Sequence, residues 1–342
     1  MDQQLVYSAA QQYVQMANEQ MMDAWNLLVE PTPTSIVKER YKLGMTGRMQ
    51  KVSELGTGAP VTFKGEWDVA YELHNFHEPT AISDVDFAYM TGPELQLHVD
   101  GILTRARNAK RHEALYHLFN DTQKTFTDKR HGSLTIEPLA NDDAVLYPPV
   151  EGSDAEATEN HYLGSAYLAS AIDDTDNPYK TLADDLIHHG MNETADIPIA
   201  FIINSAQATV TQALTNFVPY IPPQITPGQD TDLVLLPNRN IPGKIIGYIL
   251  GMGWVSVWDW IPANYIVGVN MTVPQPFRMR IDPPETGLGT GMVVLLPEER
   301  NGVITFDSWR MRFGLGGANR LSAAVMDLSN ADSDYDIPTA YA

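Results

Sequence analysis

From Val61 to Leu73 the chain reads VTFKGEWDVAYEL, and apolar and polar side chains alternate along it. Val61, Phe63, Trp67, Val69, Tyr71 and Leu73 fall on one side, and Thr62, Lys64, Glu66, Asp68 and Glu72 on the other. Successive side chains of an extended strand point to opposite faces, so this period predicts a strand of about thirteen residues, roughly 43 Å long. Strands of globular domains usually run about five or six residues, so few folds accommodate this one. The upstream segment RMQKV (48–52) is expected to pair with it across the loop SELGTGAP, making a long hairpin. A two-stranded ribbon is marginal alone in water, so its apolar face needs a cover. Either the rest of the chain supplies that cover or a neighbouring copy does.

After the ribbon the period becomes helical. Thr91 and Glu94 have the spacing of a capping box, and Pro93 falls in the first turn, where its missing amide costs nothing. Leu95, Val99, Ile102, Ala106, Ala109, Leu115 and Phe119 form the apolar stripe of a helix about 28 residues and roughly 42 Å long. Arg105, Arg107, Lys110 and Arg111 are read as lying mostly off that stripe, giving a positively charged second face.

The remaining chain mixes short strands and helices without regular strand–helix–strand alternation, which predicts an α+β fold. Residues 3–28 have a weakly helical apolar spacing that PTPTS (31–35) ends. Asn177 and Pro178 open a helix that Gly190 is expected to close. IPIAFIIN (197–204) reads as a buried strand leading to a helix, and KIIGYIL, WVSVWDW and YIVGVNM (244–271) as further strands. FDSWRMRFGLGGANRLSAAVMDL (306–328) reads as paired strands, and the tail SNADSDYDIPTAYA as mobile.

Charge is unevenly spread in a chain of formal net charge −21. Residues 38–64 carry six basic against two acidic side chains, whereas residues 132–238 carry sixteen acidic side chains and only Lys180. Such an acidic bulk repels nucleic acid, while local basic strips still meet anions. There is no cysteine, which removes disulfides, thiolate metal sites and cysteine nucleophiles. No apolar run reaches the length of a membrane span, and the first twenty residues lack the basic and apolar regions of a secretory signal.

Motifs for chemistry are weak. Asp184 and Asp185 stand four residues before His188 and His189, a spacing that suits a metal on one helix face. The same residues are explained by the helix dipole, with acids towards its start and histidines in its last turn, so no metal is expected. HEALYH (112–117) spaces its histidines five apart and cannot place them on one face. GLGTG (287–291), GMG (251–253) and GLGG (314–317) are read as turn glycines, because none has the dinucleotide-binding pattern. No catalytic residue, metal ligand or cofactor site is assigned.

With ERYKLGMTGRMQKV (39–52), FKGEWDVAYEL (63–73) and DVDFAYMTGPEL (84–95), the chain resembles the major capsid proteins of tailed bacteriophages. DDTDNPYKTLADDLIHH (173–189), WDWIPANYIVGVN (258–270) and DSWRMRFGLGGANR (307–320) extend the resemblance over nearly the whole chain. It implies the Hong Kong 97-type fold: an N-terminal arm at 1–45, an extended β-hairpin loop at 46–90, and a peripheral domain at 91–165 with its spine helix at 91–119. An axial domain at 166–300 and a return to the peripheral domain with a C-terminal tail at 301–342 complete the division.

The resemblance implies that the ribbon lies on a neighbouring subunit, through Arg48, Lys51, Phe63, Lys64, Glu66, Trp67, Val69 and Tyr71. It also implies that Arg105, Arg107, Lys110 and Arg111 face the lumen and packaged double-stranded DNA, meeting phosphates without base selectivity. The rival for these cations is pairing with acidic side chains of the same or an adjacent subunit. Hexamers and pentamers of a virion shell, assembled in the host cytoplasm, would be joined by a portal protein and a decoration protein. A separate scaffolding protein is expected, because only about 45 residues precede the loop. Lys64 is on the arm, but no partner for a covalent crosslink is read locally. An encapsulin-like compartment is the second reading, and a metal-dependent hydrolase using Asp184, Asp185, His188 and His189 ranks last.

Overall fold

Why a strand such as IAFII has no polar side is answered by the sheet it enters. The computed structural model describes residues 26–43, 56, 66–83, 89, 91–189, 198–220, 240–286, 288, 292–295 and 304–342. In chain order the first elements are β1 (Lys38–Lys42), β2 (Glu66–Ala70), β3 (His74–Ser83), α1 (Gly92–Phe119), β4 (Lys124–Asp128), β5 (Gly132–Ile136) and β6 (Tyr162–Gly164). Next come α2 (Pro178–Ile187), β7 (Ile199–Ile203), α3 (Ala208–Gln212) and β8 (Phe217–Pro219). The last are β9 (Lys244–Ile249), β10 (Gly253–Val257), β11 (Tyr265–Asn270), β12 (Phe277–Arg280), β13 (Met292–Leu295), β14 (Ile304–Gly317) and β15 (Ala323–Asp327).

A seven-stranded mixed sheet runs β6–β15–β11–β7–β10–β9–β8. Every residue of β7 is buried, because both faces of this sheet are covered. Ile199, Phe201 and Ile203 meet Tyr179, Leu182 and Leu186 of α2 in one core. Ala200 and Ile202, one step out of phase, join Leu103, Leu115 and Phe119 of α1 in the other. A strand buried on both sides loses the polar half of its alternation. The second sheet holds β12, β13 and β3 against the fourteen-residue β14. The β3–β14 ladder covers ten residue pairs, from His74–Phe313 to Ser83–Ile304. Along β14, Trp309, Met311, Phe313 and Leu315 turn to the α1 core.

The long helix has the expected start. The Glu94 carboxylate accepts from the Thr91 amide at 2.7 Å, and Pro93 stands in the first turn. At its other end the Asn120 amide donates to the Tyr116 carbonyl. Asn177 caps α2 by accepting from the amides of Tyr179 and Lys180. That helix stops at Ile187 with His188 as its C-cap, ahead of the expected Gly190, which lies outside the described residues.

The described partner of β2 is β1, in register Lys42–Glu66 to Lys38–Ala70; RMQKV (48–52), expected to pair with the ribbon, lies outside the described residues. Three further expectations change. β14 and β15 do not pair with each other: β15 lies between β6 and β11, while β14 organises the second sheet. Gly314 and Gly316 are in a strand and not in a turn. The tail is packed: the Tyr335 hydroxyl donates to the Phe119 carbonyl at 2.6 Å, and that of Tyr341 to the Trp260 carbonyl at 2.8 Å. Tyr341 also stacks on Phe119, with ring centres 5.2 Å apart. Two aromatic rings supply enough apolar area to hold an otherwise acidic tail in place.

Candidate functional site

The root of the β1–β2 ribbon is built from alternation on both strands. On the outer face Lys38 pairs with Asp68 at 2.7 Å, and Arg40 and Lys42 both reach Glu66, at 2.6 and 3.1 Å. On the inner face Tyr41 stacks on Trp67 at 5.2 Å between ring centres. Trp67, Val69 and Tyr71 are 5%, 1% and 0% exposed, in a cluster with Leu43, Ala140, Tyr147 and Leu321 of the same chain. This corrects their assignment as contacts to a neighbour. The apolar side of the described ribbon is covered from within, by the 139–147 loop and the turn after β14. Glu66 is engaged across its own ribbon, and Arg48, Lys51, Phe63 and Lys64 lie outside the described residues.

Arg320 closes this root. It is fully buried, with its guanidinium 5.9 and 6.0 Å from the ring centres of Trp67 and Tyr147. Nε donates to the Pro138 carbonyl at 2.7 Å, and Nη2 to Leu139 O at 3.0 Å and Asn141 Oδ1 at 3.1 Å. Nη1 lies 2.7 Å from Asp143 Oδ2. A buried charge is tolerated only when paired and hydrogen-bonded, and the planar fork of arginine meets that demand on several sides at once. The sequence reading gave this residue no role. Nothing at GGANR marks it, since its partners lie far away in the chain.

Two further devices fasten the root. Arg278 on β12 grips Glu30 through Nε and Nη2 at 2.7 and 3.0 Å, and Glu39 through Nη1 at 2.8 and 3.0 Å. Tyr71 donates to the same Glu39 carboxylate, and burial with this bond pushes its phenol pKa up. The chain leaving β2 crosses close over β14: a Cβ added to Gly314 would stand 1.8 Å from Glu72 O, and one on Gly316 2.7 Å from Ala70 O. Only glycine permits such a backbone approach.

The basic cluster of α1 divides. Arg105 is exposed and pairs with Glu78 on β3. Arg107 is half-buried and has no ion pair among the described residues. Arg111 lies over the Trp260 ring, 5.6 Å from its centre. Lys110 is a correction: it is 7% exposed, with Nζ 5.9 Å from the centre of the Phe313 ring, and desolvation lowers its pKa to about 8. It stands four residues after Ala106 and seven after Leu103, both buried, so it belongs to the packed side of the helix. A lysine there keeps its methylene stem in the core and offers no charge to a lumen.

Asp184 and Asp185 do not join the histidines as one ligand set. Glu159, from the loop before β6, does: its Oε2 is 3.3 Å from His188 Nε2 and its Oε1 3.4 Å from His189 Nε2. Burial alone would push the Glu159 carboxyl up, but the imidazoles of His188 and His189 beside it hold its pKa down at about 2. Asp185 is raised to about 6 by burial.

No protein-family model and no curated protein matches the chain. Among solved structures, one described as Mycobacterium phage Patience is similar over 100% of this chain and 92% of its own, at 20% identity and a TM-score of 0.71. The capsid of a native GTA particle is similar over 91% of both chains, at 10% identity and a TM-score of 0.51. The capsid of an empty GTA particle matches over 90% of both, with the same identity and TM-score. With its seven- and four-stranded sheets, its long helix and its ribbon root, this α+β chain has the Hong Kong 97-type fold.

Proposed function

We propose that this chain is the major capsid protein of a double-stranded DNA tailed phage, a structural protein that self-assembles into the hexamers and pentamers of an icosahedral shell. The observation that carries the reading is the end-to-end likeness to the phage structure at a TM-score of 0.71. A ribbon rooted in the body supports it, because the 43–65 segment between the two strands then starts from a fixed base. Ile36, Tyr89, Leu97, Leu168 and Leu250 are large apolar side chains left exposed by the isolated chain, and copies packing together would cover such surface.

In this reading Arg48, Lys51, Phe63 and Lys64 of the loop, with Glu66 at its base, meet an adjacent subunit. The cations left to face packaged DNA are Arg107 and, if it releases Glu78, Arg105; their contacts would be to phosphates. A portal protein, a separate scaffolding protein and a decoration protein complete the particle, which assembles in the host cytoplasm. The work of the chain is mechanical and not catalytic.

Electron microscopy of the expressed chain, alone and with the products of its neighbouring genes, tests the proposal. Closed shells of uniform diameter are expected, with DNA inside the mature particle. A chain that stays monomeric with every companion present overturns it. Closed shells holding a packaged protein in place of DNA would assign the compartment function instead.

A further inference from the structure

At the end of α2 three side chains converge that no part of the shell reading uses. Glu159 comes from the loop before β6, and His188 and His189 follow α2 directly; one donor atom from each lies within 4.8 Å of the other two. His189 is 2% exposed, and neither of its ring nitrogens has a hydrogen-bond partner among the described residues. Its Nε2 faces Glu159 Oε1 at 3.4 Å without bonding to it. His188 Nδ1 lies 3.0 Å from the Asp184 carbonyl. A carbonyl only accepts, so Nδ1 carries the proton and, in the neutral ring, Nε2, which lies 3.3 Å from Glu159 Oε2 without a hydrogen bond, keeps its lone pair.

We propose that Glu159, His188 and His189 form a site for a borderline divalent transition-metal ion, zinc or a close analogue such as cobalt(II) or nickel(II). Two imidazoles and a carboxylate are a donor set these ions prefer over calcium or magnesium, which take oxygen ligands. Metal–nitrogen and metal–oxygen bonds of about 2.1 Å at tetrahedral angles place neighbouring donors about 3.4 Å apart. The carboxylate–imidazole separations, one to each carboxylate oxygen, are 3.3 and 3.4 Å, and all three donors lie within 4.8 Å of one another, so side-chain adjustment can bring them onto one ion. The bond from His188 Nδ1 to a backbone carbonyl is the outer-shell contact that fixes a ligating imidazole in the right tautomer. An ion here explains why His189 is buried with unbonded nitrogens, which otherwise is a cost.

The ion would act as a staple. Glu159 lies on a loop already tied to the body, with its carbonyl accepting from the Asp142 amide at 2.8 Å, and the Glu151 amide donates to His188 O at 2.7 Å. The metal would join this 151–161 loop to the end of α2 and the seven-stranded sheet, with water completing its coordination.

The test uses the purified full chain in whatever assembly state it adopts, stripped with a chelator and titrated with cobalt(II). Expected are one ion per chain, the visible absorption of a low-coordinate cobalt site, its loss on adding zinc, and a higher melting midpoint with zinc. Glu159→Gln and His189→Gln should each weaken cobalt binding by more than about tenfold. X-ray absorption on the zinc-loaded unmodified chain should show two imidazole ligands, a readout that stands even if a variant fails to fold. Absence of stoichiometric binding, fewer than two imidazoles, or unchanged affinity in a folded Glu159→Gln chain would overturn the site. None of these outcomes depends on whether shells form.

Discussion

Arg320 Nη1 meets Asp143 Oδ2 at 2.7 Å in a place where the arginine has no exposed surface. The ion pair joins the turn after β14 to the loop that covers the ribbon root, with the rings of Trp67 and Tyr147 both beside the guanidinium. Arg320→Ala leaves Asp143 without its ion-pair partner and the carbonyls of Pro138 and Leu139 without their donor. A loss of about 3–5 kcal/mol is expected, measured by urea unfolding of the unassembled chain. Arg320→Lys should recover little, since one ammonium cannot reach all of these acceptors in their planar arrangement.

The ribbon root gives a second expectation. Because Trp67 is buried by its own chain, Trp67→Ala should destabilise the unassembled chain by about 3–5 kcal/mol. If a neighbour supplied the cover, the same change would leave the free chain's unfolding midpoint alone and weaken only the shell. Unfolding curves before and after assembly separate the two.

Lys110 makes stability depend on alkali. Its folded pKa is about 8 against 10.5 for an unburied lysine. Below the folded value both states hold the proton, and burying the ammonium costs about 3 kcal/mol. Between the two values the unfolded chain binds more protons, so this group's penalty shrinks as pH rises and vanishes above 10.5. Lys110→Met should therefore stabilise the chain at neutral pH by up to about 3 kcal/mol, a gain that fades towards pH 10.5. Paired unfolding curves at the two pH values check both the sign and the fade.

What was legible in the sequence was local. The start of α1 is specified by Thr91, Pro93 and Glu94 within four positions, and β7 by a run of apolar residues. Alternation at 61–73 identified the face carrying Trp67, Val69 and Tyr71, but a period says nothing about which strand pairs or what covers it. Both were set by distant residues, Lys38–Lys42 and Arg320. Lys110 is misplaced because a charged head outweighs four methylenes when a stripe is drawn, whereas the fold buries the side chain with its ammonium near the Phe313 ring. The tail misled by its aspartates, which hid Tyr335 and Tyr341. Glu159 stands too far from His188 for any spacing rule to connect them.

The ten-residue ladder between β3 and β14 bears on how the protein is made. Its two strands are synthesised more than two hundred residues apart, and closing so wide a loop is slow because its entropy is spent before the contacts form. While the ribosome is still translating the middle of the chain, β3 has an unpaired edge, and the Phe119 end of α1 lacks the tyrosines that later cap it. Nascent chains crowded on one messenger therefore expose complementary edges to each other, and the speed at which residues 304–341 arrive governs how many escape mispairing.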